Sequence, residues 1–187
     1  MREIHYYVAA SINGYIDSHS TNTTLFLSEG DHAIDYKNDL LQYSDVLMGK
    51  KTYEYGFEFG LIPGEKAYPW MDHYLVSDQL VDSHFGENIN IIKTTQLQKT
   101  VQLLRSQKKL GHIYLCGGGK LAGLLWERNE IDRLFVKVNP MVIAQGVPLF
   151  DSIQTDRSLD FIRSKEYNSK VVLLEYQKNK QSFTRRL

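Results

Sequence analysis

Two glycine-containing segments carry residue types that suit a phosphorylated ligand. The first, LCGGGKLAGLLW at residues 115–126, is an apolar stretch followed by three glycines and a helical pattern. Glycine lets the backbone approach a ligand closely, and the free amides that begin a helix favour an anion such as a pyrophosphate. A tight strand-to-helix turn without a ligand fits the same residues. The pattern matches neither G-x-G-x-x-G nor the phosphate loop that ends in GK[ST], so neither a Rossmann fold nor a nucleotide triphosphatase follows.

The second segment is LMGKKTYE, residues 47–54, in which a short apolar stretch ends at Gly49. Thr52 can donate a hydrogen bond to a phosphate, and Lys50 or Lys51 can neutralise it. Two lysines at a helix N-terminus are disfavoured by the helix dipole, and a bound anion would relieve that conflict. A solvated, lysine-bearing helix face is the alternative interpretation.

The elements that position both segments alternate between strands and helices. This alternation predicts an α/β fold of three layers, αβα, with a mainly parallel sheet and an antiparallel C-terminal hairpin. Both glycine segments then follow strands and lie at the carboxyl edge, where open α/β sheets bind ligands, and two anion sites there fit a dinucleotide. The predicted strands cover 3–10, 45–48, 73–77, 89–93, 112–116, 132–139, 160–167 and 171–178, and the predicted helices cover 31–43, 95–108, one from Lys50 to near Gly56 or Gly60, and one from the triple glycine through Trp126.

Two local expectations accompany this assignment. Residues 15–29 are predicted to form a loop, with a short extended piece at 25–27. The helix over 31–43 is predicted to be capped by Ser28 or Asp31 and to carry Ile34, Leu40 and Leu41 near one face.

The composition narrows the class of protein. The 187 residues include 22 Lys plus Arg and 22 Asp plus Glu, and this zero net charge argues against a nucleic-acid partner. Cys116 is the single cysteine, which excludes an intrachain disulfide and a multi-cysteine metal site. The six histidines, at 5, 19, 32, 73, 84 and 112, show no metal-ligand spacing, so we predict no metal. The apolar stretches are far below the ~20 residues that span a bilayer, so we expect a cytoplasmic protein without a membrane partner.

Four ordered blocks resemble a known family. They are VAASINGYID, DVLMGKKTYE, YLVSD, and IYLCGGGKLAGLL followed by IDRLFVKVNPMVIAQGVPLF. The chain resembles the dihydrofolate reductase-like superfamily over residues 4–176, and it is most similar to stand-alone relatives of the reductase domain in bifunctional riboflavin-biosynthesis deaminase-reductases. The resemblance implies one reductase-type domain over residues 1–178, a basic tail over 179–187, and a homodimer. The zinc ligands of the deaminase half, H-x-E and C-x-x-C, are absent from the sequence.

The resemblance implies NADPH as the cofactor. Lys50 occupies a position where the family usually has arginine, and Asp78 follows Ser77 where the family often has another serine or threonine. A carboxylate there would repel a 2′-phosphate, so NADH stays open as an alternative. The implied contacts are Gly49, Lys50, Lys51 and Thr52 for the adenosine-side phosphates, Ser77 for that phosphate or the ribose, Gly117, Gly118, Gly119, Lys120 and Leu121 for the pyrophosphate, Cys116 for the cleft beside it, and Ala9 and Ala10 for the nicotinamide.

The substrate side of the resemblance implies hydride transfer to a C=N or C=O group of a small heterocyclic or sugar-derived molecule. Asn13 stands where riboflavin-type relatives commonly have an aspartate, and Tyr53 is a candidate pocket wall. Asp35 is our preferred substrate-binding residue and proton donor, and Asp31 is the other candidate, with a plain helix cap as its alternative role. A true dihydrofolate reductase and a non-catalytic NADPH-binding or sensor protein are the two alternative functions.

Overall fold

The computed structural model describes residues 1–19, 26–79 and 88–179. Eight of its ten strands form one sheet. The strands are β1 (Ile4–Ser11), β2 (Tyr15–Ser18), β3 (Tyr43–Gly49), β4 (Asp72–Val76), β5 (Ile89–Ile92), β6 (His112–Gly117), β7 (Arg133–Asn139), β8 (Gly146–Pro148), β9 (Leu159–Glu166) and β10 (Val172–Lys178), and the helices are α1 (Asp31–Asp39), α2 (Lys50–Tyr55), α3 (Leu97–Ser106) and α4 (Gly119–Glu127).

The sheet order is β5-β4-β3-β6-β1-β7-β10-β9. The five pairings from β5 to β7 are all parallel. The pairings of β7 with β10 and of β10 with β9 are antiparallel. The predicted α/β class, with a mainly parallel sheet and an antiparallel C-terminal hairpin, is confirmed.

Buried side chains cover both faces of the sheet. On one face, Tyr6 and Leu115 belong to a cluster with the apolar sides of α3 and α4. On the other face, Tyr7 and Tyr114 belong to a cluster that includes Tyr53 of α2. The alternation of side chains along β1 and β6 therefore builds the three layers that the sequence pattern predicts.

The start and the orientation of α1 differ from the prediction. Gly30, with φ of 115°, is the N-cap, and neither Ser28 nor Asp31 caps the helix. Asp31 accepts a hydrogen bond from the Asn168 amide at 2.7 Å instead, which joins α1 to the β9–β10 turn. Ile34 is 63% exposed and Leu41 is 67% exposed. Leu40 is buried, but Ile34 and Leu41 are not, because the side chains of α1 that face the sheet are the aromatic and histidine ones.

Two strands of the structure are absent from the prediction. β2 and β8 form a separate antiparallel pair, in which Tyr15 lies opposite Pro148 and Ser18 lies opposite Gly146. All eight predicted strands and all four predicted helices are present, with ends shifted by a few residues. Position 25 of the expected extended piece, His84 and residues 180–187 of the expected tail lie outside the described residues. Lys178 is the last residue of β10, and its Nζ lies 3.3 Å from a carboxylate oxygen of Asp132.

Among the described helices, the longest has ten residues, and none is long and apolar enough to cross a membrane.

Candidate functional site

The two central strands of the sheet separate towards their carboxyl ends. The ladder between β1 and β6 ends where Tyr6 pairs with Leu115, whereas the ladder between β1 and β7 continues until Ser11 pairs with Asn139. β6 stays with β3 instead, through a register shift after Leu47. Bulges of this kind are common beside active sites because they redirect a strand. A cleft therefore opens between β1 and β6 at the carboxyl edge.

Two glycines at this edge leave space that a side chain would fill. A β-carbon added to Gly49 or to Gly117 would have no neighbour within 4 Å among the residues that the structure describes. Gly117 has a φ of 126°, a conformation that residues with a side chain rarely adopt. A β-carbon on Gly118 would lie 3.4 Å from Thr52 Oγ1. The structure thus brings the two glycine segments together around an open cradle.

The third glycine of the triple-glycine segment has a packing role. A β-carbon on Gly119 would collide with the backbone oxygen of Pro148 and lie 3.2 Å from a side-chain carbon of Val147. The amide of Asp151 donates to the Gly119 carbonyl at 3.1 Å. The first turn of α4 therefore packs directly on β8 and the residues after it. The absence of a side chain at Gly119 therefore makes room for this packing, and it does not add space for a ligand.

The predicted adenosine-side residues lie beside the cradle. Lys50 Nζ lies 3.2 Å from Gln79 Oε1 and 3.5 Å from Glu54 Oε1. Asp78 Oδ1 accepts the Thr94 amide at 2.8 Å, and hydrogen bonds from Thr94 lower the pKa of this carboxyl group. Because this pKa is lowered, Asp78 stays ionised at neutral pH, and the bond from Thr94 fixes the position of the carboxylate without removing its charge. Lys51 and Lys120 are exposed, and Ser77 is half-buried.

The predicted nicotinamide residues lie on opposite faces of β1. Ala9 is half-buried on the face that α1 covers, and it pairs with Lys137 of β7. Ala10 is 1% exposed and belongs to the core on the α3 and α4 side. Ala9 is thus the alanine whose side chain shares a face with α1 at the cleft.

Asn13 joins the turn after β1 to the segment before β8. Its Nδ2 donates to the Ile143 carbonyl at 2.8 Å, and its Oδ1 accepts the Ile143 amide at 3.1 Å. Ser11 Oγ also donates to Asn13 Oδ1 at 2.8 Å. A carboxylate has no donor for the Ile143 carbonyl, so this pair of bonds explains an amide at this position. The side chain expected to bind substrate is occupied in holding the backbone.

Asp35 lies against the C-terminal hairpin. It forms an ion pair with Lys165 and accepts the Tyr167 hydroxyl at 3.0 Å. Hydrogen bonding to Lys165 first, and then to Tyr167, holds the pKa of this carboxyl group below its usual value. A carboxyl group with a lowered pKa is ionised at neutral pH, so Asp35 has no proton to donate there. The residue next to it, Tyr36, occupies the face of α1 that turns towards β1 and β6.

Two other predicted residues, Tyr53 and Leu121, are more buried than a ligand contact requires, and a third, Cys116, is half-buried. Tyr53 is 1% exposed, and its hydroxyl donates to the Glu65 carbonyl at 2.7 Å and accepts the Gly64 amide at 2.9 Å. Tyr53 therefore organises the loop after α2 and was a wrong choice of pocket wall. Leu121 is 5% exposed in the core. Burial raises the pKa of the Cys116 thiol, which lies 3.5 Å from the Tyr68 hydroxyl.

One lysine that the sequence interpretation overlooked faces the cleft. Lys137 lies on β7, and its Nζ is 4.1 Å from the centroid of the Tyr36 ring. Burial lowers its pKa to about 8. Tyr36 and Tyr114 share a hydrogen bond of 2.7 Å between their hydroxyls, and Tyr114 also donates to the Tyr7 carbonyl at 3.3 Å. A charged residue within the apolar strand LFVKVN is the signal that could have identified this site.

The amino edge of the sheet holds a separate polar cluster. Glu3, His5 and His112 bring potential metal-ligating atoms within 4.8 Å of one another. The His5 and His112 rings stack with centroids 4.3 Å apart, and a carboxylate oxygen of Glu3 lies 2.9 Å from His5 Nε2 and 3.2 Å from Arg133 Nε. Burial lowers the pKa of His5 to about 4. Because Glu3 is already shared between His5 and Arg133, we assign this cluster to the packing of the sheet edge.

Comparisons with known proteins find relatives and folds that match nearly the whole chain. An uncharacterised protein of Bacillus subtilis (strain 168), YwjB, is 27% identical over 173 residues, which are 89% of this chain and 93% of that protein. A pyrimidine reductase-like protein of Corynebacterium diphtheriae superposes with a TM-score of 0.68 at 15% identity, covering 96% of this chain and 93% of its own. Dihydrofolate reductase of Enterococcus faecalis, solved in complex with NADP(H), superposes with a TM-score of 0.65 at 14% identity, covering 95% and 96%.

The two solved structures share the fold of this chain, which confirms the dihydrofolate reductase-like architecture. The family model for the RibD C-terminal domain matches residues 66–173. That range includes the triple-glycine segment, β6, α4, β7 and most of the C-terminal hairpin. This chain therefore belongs to the RibD C-terminal domain family.

Proposed function

We propose that this protein is an NADPH-dependent reductase. The observation that carries the proposal is the cleft between β1 and β6, with the open cradle of Gly49 and Gly117 on the same edge. A dinucleotide is long enough to use both features, whereas a single phosphate needs only one. The complex of a dihydrofolate reductase with NADP(H), on the same fold, supports this choice of ligand.

Residues of both glycine segments would hold the dinucleotide. We assign the adenosine-side phosphates to Lys50, Lys51 and Thr52, because both lysines are at the edge and Thr52 Oγ1 faces Gly118. The pyrophosphate would lie along Gly117 and Gly118, with Lys120 as its exposed counter-charge. We propose NADPH rather than NADH because Lys50 and Lys51 begin α2 at this edge and because the solved dihydrofolate reductase of the same fold is complexed with NADP(H).

The nicotinamide would enter the cleft beside Ala9, whose side chain is too small to block a flat ring. When bound, the cofactor supplies a hydride for reduction of a C=N or C=O group. The chain contributes orientation and exclusion of water, through the tyrosines that close the α1 side of the cleft.

The substrate we propose is a small heterocyclic or sugar-derived compound, similar to 5-amino-6-(5-phosphoribosylamino)uracil. Membership of the RibD C-terminal domain family and the fold shared with a pyrimidine reductase-like protein support this class. A pyrimidine is planar and fits a cleft walled by aromatic rings, since ring pairs stack or meet edge to face.

Titration of the protein with NADPH, followed by the fluorescence of the reduced nicotinamide, tests the proposal. We expect a blue shift and saturable binding, weaker binding of NADH, and oxidation of bound NADPH when the pyrimidine is added. Oxidation with dihydrofolate alone would point to a true dihydrofolate reductase, and binding without oxidation across imines and carbonyls would point to a sensor. Failure to bind either dinucleotide at millimolar concentration would refute the proposal.

A further inference from the structure

Lys137 is a charged group placed among apolar and aromatic side chains. It is half-buried, it lies opposite Ala9 of β1 and Leu173 of β10, and its Nζ is 4.1 Å from the Tyr36 ring centroid. Within residues 1–19, 26–79 and 88–179, its ammonium has this ring contact and no ion pair. A charge removed from water without a partner destabilises a folded protein. Such a residue therefore points to a ligand or a reaction that uses it.

The carboxylates on the elements around Lys137 already have partners. α1, β1 and β10 pack against it, and burial alone lowers its pKa to about 8. The tyrosines on this side of the sheet include Tyr7, Tyr36 and Tyr114, whose pKa values burial raises, and His32 Nδ1 lies 2.8 Å from Ser169 Oγ. The carboxylates are engaged elsewhere: Asp31 accepts the Asn168 amide, Asp35 pairs with Lys165, Asp39 accepts the Tyr7 hydroxyl, and Glu175 pairs with Arg133 and Arg163.

The position of Lys137 relative to the cleft gives it a role. Its strand partner Ala9 lies in the part of β1 that has separated from β6, and both side chains are on the α1 face of the sheet. We propose that Lys137 donates the proton that completes reduction of the substrate, to the oxygen or nitrogen atom of the reduced C=O or C=N bond. This role rests on the proposed function, because the cleft must hold both the nicotinamide and the substrate.

The proposed step balances. Hydride from the reduced nicotinamide forms a C–H bond at the substrate carbon, and the electron pair of the C=O or C=N π bond moves to the oxygen or nitrogen. An N–H bond of Lys137 breaks with its electron pair left on Nζ, and the proton forms the new O–H or N–H bond. The substrate is reduced, the nicotinamide is oxidised, and water returns a proton to the neutral Lys137 amine.

The first test uses the protein without any ligand. Acetic anhydride modifies neutral amines, so peptide mass spectrometry across pH 6.5–10 reports where Lys137 loses its proton. We expect half-maximal reactivity near pH 8, where ordinary lysines, with a pKa of ~10.4, are still mostly protonated. With NADP⁺ present, 5-amino-6-(5-phosphoribosylamino)uracil is expected to slow the modification of Lys137 at least fivefold.

The second test compares Lys137→Met and Lys137→Arg with Lys165→Met. Lys165 is a matched control because its Nζ also lies over a tyrosine ring, 5.0 Å from the Tyr167 centroid, but it is paired with Asp35 outside the cleft. We expect NADPH affinity within about twofold in all three variants. Single-turnover oxidation of NADPH is expected to fall about a hundredfold in both Lys137 variants, a typical general-acid effect, and to stay unchanged in Lys165→Met. Arginine keeps the charge but holds its proton too tightly to donate it.

Several outcomes separate the two proposals. A wild-type protein that binds neither NADPH nor NADH refutes the proposed function, and the role of Lys137 falls with it. A protein that binds NADPH, yet whose Lys137 is not protected by the pyrimidine or by dihydrofolate, overturns the role of Lys137 alone. Full activity in Lys137→Arg would likewise show that the lysine supplies charge and not a proton.

Discussion

The backbone oxygen of Pro148 packs so closely on Gly119 that a methyl group there would collide with it. Replacement of Gly119 by alanine must therefore push α4 away from β8. We expect Gly119→Ala to lower the free energy of unfolding by about 1–3 kcal/mol, the usual effect of overpacking. Urea unfolding followed by circular dichroism measures this loss, and an unchanged midpoint would show that the α4–β8 contact is looser than it is here.

Gly49 offers the opposite case at the same edge. A β-carbon at Gly49 would project into open space, and its φ of −79° suits alanine. We expect Gly49→Ala to keep the unfolding midpoint of the wild type but to weaken NADPH binding at least about tenfold, or ~1.4 kcal/mol. Fluorescence titration gives the affinity, and equal affinity in both proteins would mean that the dinucleotide does not pass this glycine.

Lys50 and Asp78 test the choice between NADPH and NADH. If Lys50 contacts the 2′-phosphate, Lys50→Gln should weaken NADPH about tenfold and leave NADH within about twofold, because only the former loses a charge-assisted contact. Asp78→Asn is the control, since its carboxylate accepts the Thr94 amide and faces the turn before α3. A large gain in NADPH affinity in Asp78→Asn would contradict that placement.

Lys137 should make stability depend on pH in an unusual direction. Its pKa is about 8 in the folded protein against 10.5 ordinarily, so the unfolded chain binds more protons between these values. Stability attributable to Lys137 therefore rises as the pH rises through that window. At pH 7, Lys137→Met should be more stable than the wild type by about 1–3 kcal/mol.

The difference between Lys137→Met and the wild type should shrink as the pH approaches 10.5, where the lysine is neutral in both states. Denaturant titrations at pH 7, 8, 9 and 10 with Lys165→Met in parallel measure this trend. A methionine variant that is less stable than the wild type at pH 7 would show that Lys137 has a stabilising partner.

The buried Asp45 is expected to be the most sensitive charged position in the fold. It forms an ion pair with Arg2, accepts Lys109 Nζ at 3.1 Å, and is fully buried. Asp45→Asn would leave the Arg2 guanidinium unpaired, and such a change costs about 3–5 kcal/mol. Asp72→Asn is the matched control, because Asp72 contacts the same Lys109 at 2.7 Å but is half exposed, and it should lose under ~1 kcal/mol. Equal effects in thermal unfolding would contradict this distinction.

Regular patterns in the sequence were sufficient for most of the sheet. Strands β3 and β6 each have a central apolar run that leads to a glycine, and α3 buries Leu97, Val101 and Leu104, which recur at intervals of three and four residues. The sequence analysis did not predict β2 and β8, because they are only four and three residues long and each is stabilised by pairing with the other, which is far away in the sequence. Strands that short carry no usable periodicity.

The positions of the two glycine segments in the sequence predicted that both lie at the carboxyl edge of the sheet. The sequence did not predict which side chain of α1 faces the cleft, because that depends on the rotation of the helix about its axis. Asp35 and Tyr36 are neighbours on α1, yet one contacts the hairpin and the other the cleft. A rotation of 100° per residue separates them, which exceeds the accuracy of helix ends assigned from sequence. Lys137 was not predicted as a site residue, because residues 132–139 were interpreted only as a strand with an apolar pattern.

The early end of the ladder between β1 and β6 creates an edge inside the sheet. From Tyr7 onwards, β1 pairs with β7 and with no other strand among the described residues, although six other strands complete the sheet around this pair. Exposed strand edges normally attract a further strand, and proteins protect them at the borders of a sheet. Here the edge is enclosed, so a group that paired with it would have to be thin and carry amide-like hydrogen-bonding atoms. Under the proposed function, the architecture would then discriminate between ligands by thickness before any side chain did so by charge.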